Sequence, residues 1–151
     1  MAGSGHLVRR CCRTGPVDAW LDDGIISRND LGEAQEILNS RYQNFTERMA
    51  RYPFVKIYKE YTFNAVRHFN DNFFDLIYID ADHTYEGCKK DLNDWFSKVK
   101  PGGFFTGDDY RIASSPRMGV KFGVIEAVNE FSKSHNLDVY ELPRYGWAII
   151  K

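Results

Sequence analysis

The chain has 151 residues, with 20 basic and 21 acidic side chains, a formal charge of -1, and 43% hydrophobic and 15% aromatic content. That length suits one domain with a real core and is too short for two. The balance of charge and apolar content excludes a basic nucleic-acid binder and a disordered acidic chain. No apolar run approaches the roughly 20 residues that span a bilayer, and the N-terminus lacks the apolar core of a secretory signal, so a cytoplasmic protein with no membrane or nucleic-acid partner is expected.

Residues 1–16 show no hydrophobic period and form an uninterpreted leader, in which Ala2-Gly3-Ser4-Gly5 reads as a cloning remnant or altered start as readily as a loop. The adjacent Cys11 and Cys12 make neither a metal pair nor a disulfide framework, so reduced thiols are expected. Val17-Asp18-Ala19-Trp20 closes a short strand. Asp30 and Glu33 have capping-box spacing ahead of Ala34, Ile37, Leu38, Tyr42, Phe45 and Met49, which share one helical face before Tyr52-Pro53 ends it. Residues 54–61 read as a strand with Val55, Ile57 and Lys59 on one face. Thr62 then caps a short helix carrying Ala65, Val66 and Phe69, and Asn70-Asp71-Asn72 turns into the next strand.

Residues 73–79 contain the apolar run Leu76-Ile77-Tyr78-Ile79, which predicts a strand covered on both faces. It ends in Asp80-Ala81-Asp82-His83. Thr84 caps a helix in which Tyr85, Cys88, Leu92, Trp95 and Val99 recur at helical spacing, and Pro101-Gly102-Gly103 is read as its stop. A further strand ends in Gly107-Asp108-Asp109-Tyr110. A loop through Ser114-Ser115-Pro116 leads to a helix with Val120, Val124, Ala127, Val128 and Phe131 on one side. Two last strands, residues 137–142 and 147–150, form an antiparallel hairpin around Pro143-Arg144-Tyr145-Gly146.

Alternating strands and helices give an α/β sheet with right-handed crossovers and its loops on one rim. Ligands bind beyond the carboxyl ends of such strands, and adjacent strand tips lie about 4.8 Å apart. Asp80, Asp108 and Asp109 are then close enough to share one cation. The plainer readings are a turn at Asp108-Asp109 and helix capping by Asp82 or His83.

The segment Phe74-Asp-Leu-Ile-Tyr-Ile-Asp-Ala-Asp-His83, with Asp91-Leu92-x-x-Trp95, Lys100-Pro-Gly-Gly103 and Gly107-Asp-Asp-Tyr110, resembles class I S-adenosylmethionine-dependent methyltransferases. Within them it is most similar to the metal-dependent O-methyltransferases of the catechol, caffeoyl-coenzyme A and macrocin type. The resemblance covers residues 17–151 and implies a Rossmann-like, mostly parallel sheet flanked by helices, with a C-terminal antiparallel hairpin. It implies methyl transfer from S-adenosylmethionine to a hydroxyl of a small molecule or sugar. Asp80, Asp108 and Asp109 match the positions that hold Mg²⁺ or a similar divalent cation, and His83 matches the general base. Asp18 would hydrogen-bond the cofactor ribose, Tyr61 and Thr62 would lie near its adenine, and Asp80 and Ala81 would contact it.

The family's first strand and glycine-rich loop have no good match. That strand belongs between those ending at Asp18 and Asp80, so its loss leaves unpaired backbone in the sheet. The expectation is a truncated domain that rearranges, forms a homo-oligomer through exposed sheet edges, or binds cofactor poorly. Two other classes compete. One is a non-catalytic, methyltransferase-like interaction module. The other is a haloacid-dehalogenase-like phosphotransferase with Asp80 as nucleophile, suggested by Asp80-Ala81-Asp82-His83-Thr84. That family needs a Ser or Thr strand end and a lysine between its acidic motifs, where here only one helix intervenes.

Overall fold

The computed structural model describes residues 6–7, 16–17, 35–111, 114–115 and 120–151, with side chains described for residues 39–111 and 122–151. Asp18, the Asp30/Glu33 pair, Cys11 and Cys12 lie outside the described residues.

Helix α1 (Gln35–Met49) is the long helix read from its apolar spacing. The strand expected over residues 54–61 does not form: a single bridge residue, Tyr58, stands in irregular chain. Packing of the Tyr58 ring explains this, since it lies 5.5 Å from the His68 ring and 5.3 Å from Phe69, folded onto the following turn. Thr62 does not cap the next helix either. It is the first residue of α2 (Thr62–Ala65), with Tyr61 at the cap and no side-chain cap bond. The Thr62 hydroxyl donates instead to Asp91 Oδ1 at 2.7 Å.

Six strands make one sheet. In chain order they are β1 (His6–Leu7), β2 (Pro16–Val17), β3 (Phe74–Ile79), β4 (Val99–Gly107), β7 (Tyr140–Leu142) and β8 (Gly146–Ile150), and across the sheet they run β2-β1-β3-β4-β8-β7. A separate ribbon pairs β5 (Ser114–Ser115) with β6 (Val120–Lys121). β3 and β4 are parallel neighbours in a register that sets Ile79 beside Gly107. β8 is antiparallel to β4, and β7 to β8, so the expected terminal hairpin is present. The position beside β3 for which the sequence offers no strand is taken by β1, antiparallel, through Leu7 and Tyr78. Leu7, within the leader left uninterpreted, thus supplies a backbone partner on the side of β3 away from β4.

Helix α3 (Tyr85–Phe96) carries Tyr85, Cys88, Leu92 and Trp95 of the predicted stripe, while Val99 opens β4 instead, and the Thr84 side chain accepts the Gly87 N–H at 3.1 Å as its cap. Pro101-Gly102-Gly103 does not stop it. The helix ends at Phe96, and these three residues run inside β4, where the chain end supplies partners: the Gly102 N–H donates to the Lys151 carbonyl and the Lys151 N–H to that of Gly103. Helix α4 (Val124–His135) starts later than expected, with Val120 in the ribbon.

One face of the sheet holds the core. Phe74, Ile77, Phe105, Trp147 and Ile149 are buried against Leu92 and Trp95 of α3 and Ala127, Val128 and Phe131 of α4. Each fully buried side chain of this size stabilises by about 1.5–3 kcal/mol. This packing fixes α3 and α4 over the strands and thereby fixes the loops at the strands' carboxyl ends.

Candidate functional site

Parallel neighbours end on the same rim. With Ile79 and Gly107 in register and the Asp108 N–H donating to the Ile79 carbonyl at 3.1 Å, the ladder continues to the last residue before the loops. Asp80 and Asp108 therefore emerge side by side. Gly107 makes the approach possible: a Cβ there would stand 2.6 Å from the Ile79 carbonyl oxygen and from the Trp147 ring.

The loop after β3 turns at Asp82, whose Oδ1 accepts the Thr84 N–H at 2.8 Å, and this swings His83 back over the rim. The Gly123 N–H holds the His83 carbonyl at 2.8 Å, and Phe122 stacks on the imidazole with ring centres 4.9 Å apart. The loop after β4 turns through Asp109, which has a left-handed φ of 56°.

These two turns bring Asp80, His83 and Asp109 together, with one donor atom from each within 4.8 Å of the others. His83 Nε2 lies 2.9 Å from Asp109 Oδ2 and 3.4 Å from Asp80 Oδ1. Nε2 is buried between the two carboxylates. Burial by itself lowers the His83 pKa, but the adjoining Asp80 and Asp109 carboxylates outweigh it and hold the imidazole above its ordinary value. A small cleft opens here, lined by Asp80, Ala81, Asp82, His83, Asp108 and Trp147 among others.

Asp108 is turned differently from its expected partners. Its Oδ1 accepts the Asp109 N–H at 2.8 Å, and its carboxylate faces the Tyr78 hydroxyl. Burial, then the Asp108 and Asp80 charges, push the Tyr78 pKa up to about 12. Tyr61 stacks on Phe63 at 5.3 Å, and the Thr62 hydroxyl is committed to Asp91. Arg111 and Phe122 escaped the sequence reading, although a basic residue two places after Asp109 was a visible signal. Arg111 Nη2 lies 2.9 Å from Asp109 Oδ1, and its guanidinium sits 4.8 Å over the Tyr145 ring. The aromatic residues Tyr110, Tyr145 and Trp147 divide: Trp147 is core, while Tyr145 is exposed at the hairpin tip.

Among solved structures, the chain is similar to the O-methyltransferase NovP, at 14% identity and a TM-score of 0.60, over 89% of this chain and 58% of that one. It is also similar to an S-adenosylhomocysteine-bound methyltransferase of Podospora anserina, at 16% identity and 0.53, over 76% and 56%. A Corynebacterium glutamicum protein aligns at 9% identity and 0.51, over 76% and 55%. The chain thus spans between 55% and 58% of the length of these structures, which share its fold. No functionally curated protein matches it. Among the described residues no helix is long and apolar enough to cross a membrane. The family model for the methyltransferase domain matches residues 5–110, which with the Rossmann-like sheet and its antiparallel end places this chain in the methyltransferase domain family.

Proposed function

We propose that the chain is an S-adenosylmethionine-dependent O-methyltransferase domain in which Asp80 and Asp109, with Asp108 beside them, hold a divalent cation such as Mg²⁺, and His83 is the general base. The observation that carries this reading is the convergence of Asp80, His83 and Asp109 where two adjacent parallel strands end. Membership of the methyltransferase family sets aside the phosphotransferase alternative.

The residues present fit a cation: a carboxylate oxygen of Asp80 and one of Asp109 lie within 4.8 Å of each other at the rim. Oxygen donors suit Mg²⁺, with water or substrate hydroxyls completing the shell. The cation, when bound, lowers the pKa of an acceptor hydroxyl and orients its oxygen. S-adenosylmethionine supplies the methyl group from its sulfonium. With S-adenosylmethionine bound, His83 Nε2 in its neutral form would take the acceptor hydroxyl's proton as that oxygen receives the methyl group. Phe122 stacking and the Gly123–His83 backbone bond hold the imidazole in place for that transfer. Asp80 and Ala81, which line the cleft, would contact the cofactor in this reading. The acceptor is a small molecule presenting a hydroxyl, of sugar or phenol type.

Calorimetric titration of the full chain with S-adenosylmethionine, with and without Mg²⁺, tests the proposal. Saturable cofactor binding is expected, and none at millimolar concentration overturns it. With labelled cofactor and a panel of phenolic and sugar acceptors, His83→Ala should slow transfer by about 10²–10⁴-fold while leaving cofactor affinity unchanged. Equal loss of both would contradict the role given to His83.

A further inference from the structure

We propose that Arg111 is the internal counter-ion of the carboxylate cluster and sets how tightly that cluster holds a divalent cation; this rests on the cation-assisted reading above. Asp109 is shared. Its Oδ1 lies 2.9 Å from Arg111 Nη2, while its Oδ2 lies 2.9 Å from His83 Nε2.

The backbone imposes this arrangement. Asp109 is left-handed, and the Arg111 N–H donates to the Asp109 carbonyl at 2.8 Å, so Arg111 folds back onto the residue two places before it. Aromatic rings then hold the guanidinium: Tyr145 lies 4.8 Å from it and Phe122 5.9 Å. Phe122 is the ring that stacks on His83, so Arg111 meets the cluster on two sides. Tyr145 belongs to a hairpin tip with two consecutive left-handed residues, Arg144 at φ 61° and Tyr145 at φ 66°. The Tyr145 carbonyl accepts the Tyr110 N–H at 2.7 Å, which ties that tip to the residue before Arg111.

A guanidinium stays charged at every accessible pH. A divalent cation approaching Asp109 therefore meets a carboxylate with one oxygen already in a charge-assisted pair, and a fixed positive charge behind it. Both effects lower cation affinity. Arg111 is 41% exposed, so its guanidinium can leave Asp109 for water without being buried elsewhere.

Mg²⁺ titrated calorimetrically into the full chain, Arg111→Gln and Arg111→Lys tests this. Glutamine removes the charge, and lysine keeps it. Arg111→Gln should bind Mg²⁺ about three- to tenfold more tightly than wild type, with Arg111→Lys close to wild type. A purely structural role would weaken binding in both variants. Saturable binding by wild type with equal or weaker binding by Arg111→Gln overturns this inference and leaves the cation-assisted reading standing. No saturable binding by either protein overturns both.

Discussion

Asp91 is the one buried carboxylate among the described residues, at 4% exposure, and it lies outside the candidate site. Burial is the main cause that pushes its pKa up to about 6, against the opposing Thr62 hydrogen bond. Because this carboxyl binds its proton more tightly in the folded state, its contribution to stability is full below about pH 4 and is lost as pH rises through about 6. Asp91→Asn should flatten that dependence and stabilise the protein at pH 7.5 by about 1–3 kcal/mol, read by urea denaturation at pH 4.5 and 7.5. Equal stability changes at both pH values would contradict this. The sequence showed Asp91 within Asp91-Leu92-x-x-Trp95 but not its depth, because the Thr62 partner lies 29 residues away. Arg111 was overlooked for a related reason: its pairing with Asp109 depends on a left-handed backbone at Asp109, which aspartate tolerates but does not require.

Elements governed by local signals were legible. The Thr84 cap and the apolar stripe of α3 were both readable, as was β3 from its apolar run. Thr84→Ala should cost about 1 kcal/mol in thermal or chemical denaturation, and a loss near zero would show that Asp82 alone secures this helix start. Elements defined by distant partners were misread. Pro101-Gly102-Gly103 looks like a helix stop until Lys151 is seen beside it, and residues 54–61 alternate like a strand although Tyr58 packs on His68 and Phe69. Gly107 joins element to site. Gly107→Ala should destabilise by about 1–3 kcal/mol by thermal denaturation, because the Ile79 carbonyl and Trp147 ring leave no room for a methyl group. An unchanged melting temperature would show that β3 and β4 can separate without cost.

Across the whole molecule, chemistry follows from one topological fact: β3 and β4 are adjacent and parallel. Their pairing delivers Asp80 and Asp109 to one rim, and the core packed beneath α3 and α4 holds them there. The sequence conveyed the alternation of elements that leads to this adjacency. It did not convey what lies on the other side of β3, where His6–Leu7 pairs antiparallel. Cation binding at the rim is best measured directly, by electron paramagnetic resonance of Mn²⁺ added to the full chain and to Asp80→Asn. One saturable site in wild type, weakened about tenfold or more in the variant, is predicted. Mn²⁺ that stays free, or that binds both proteins equally, would contradict the assignment.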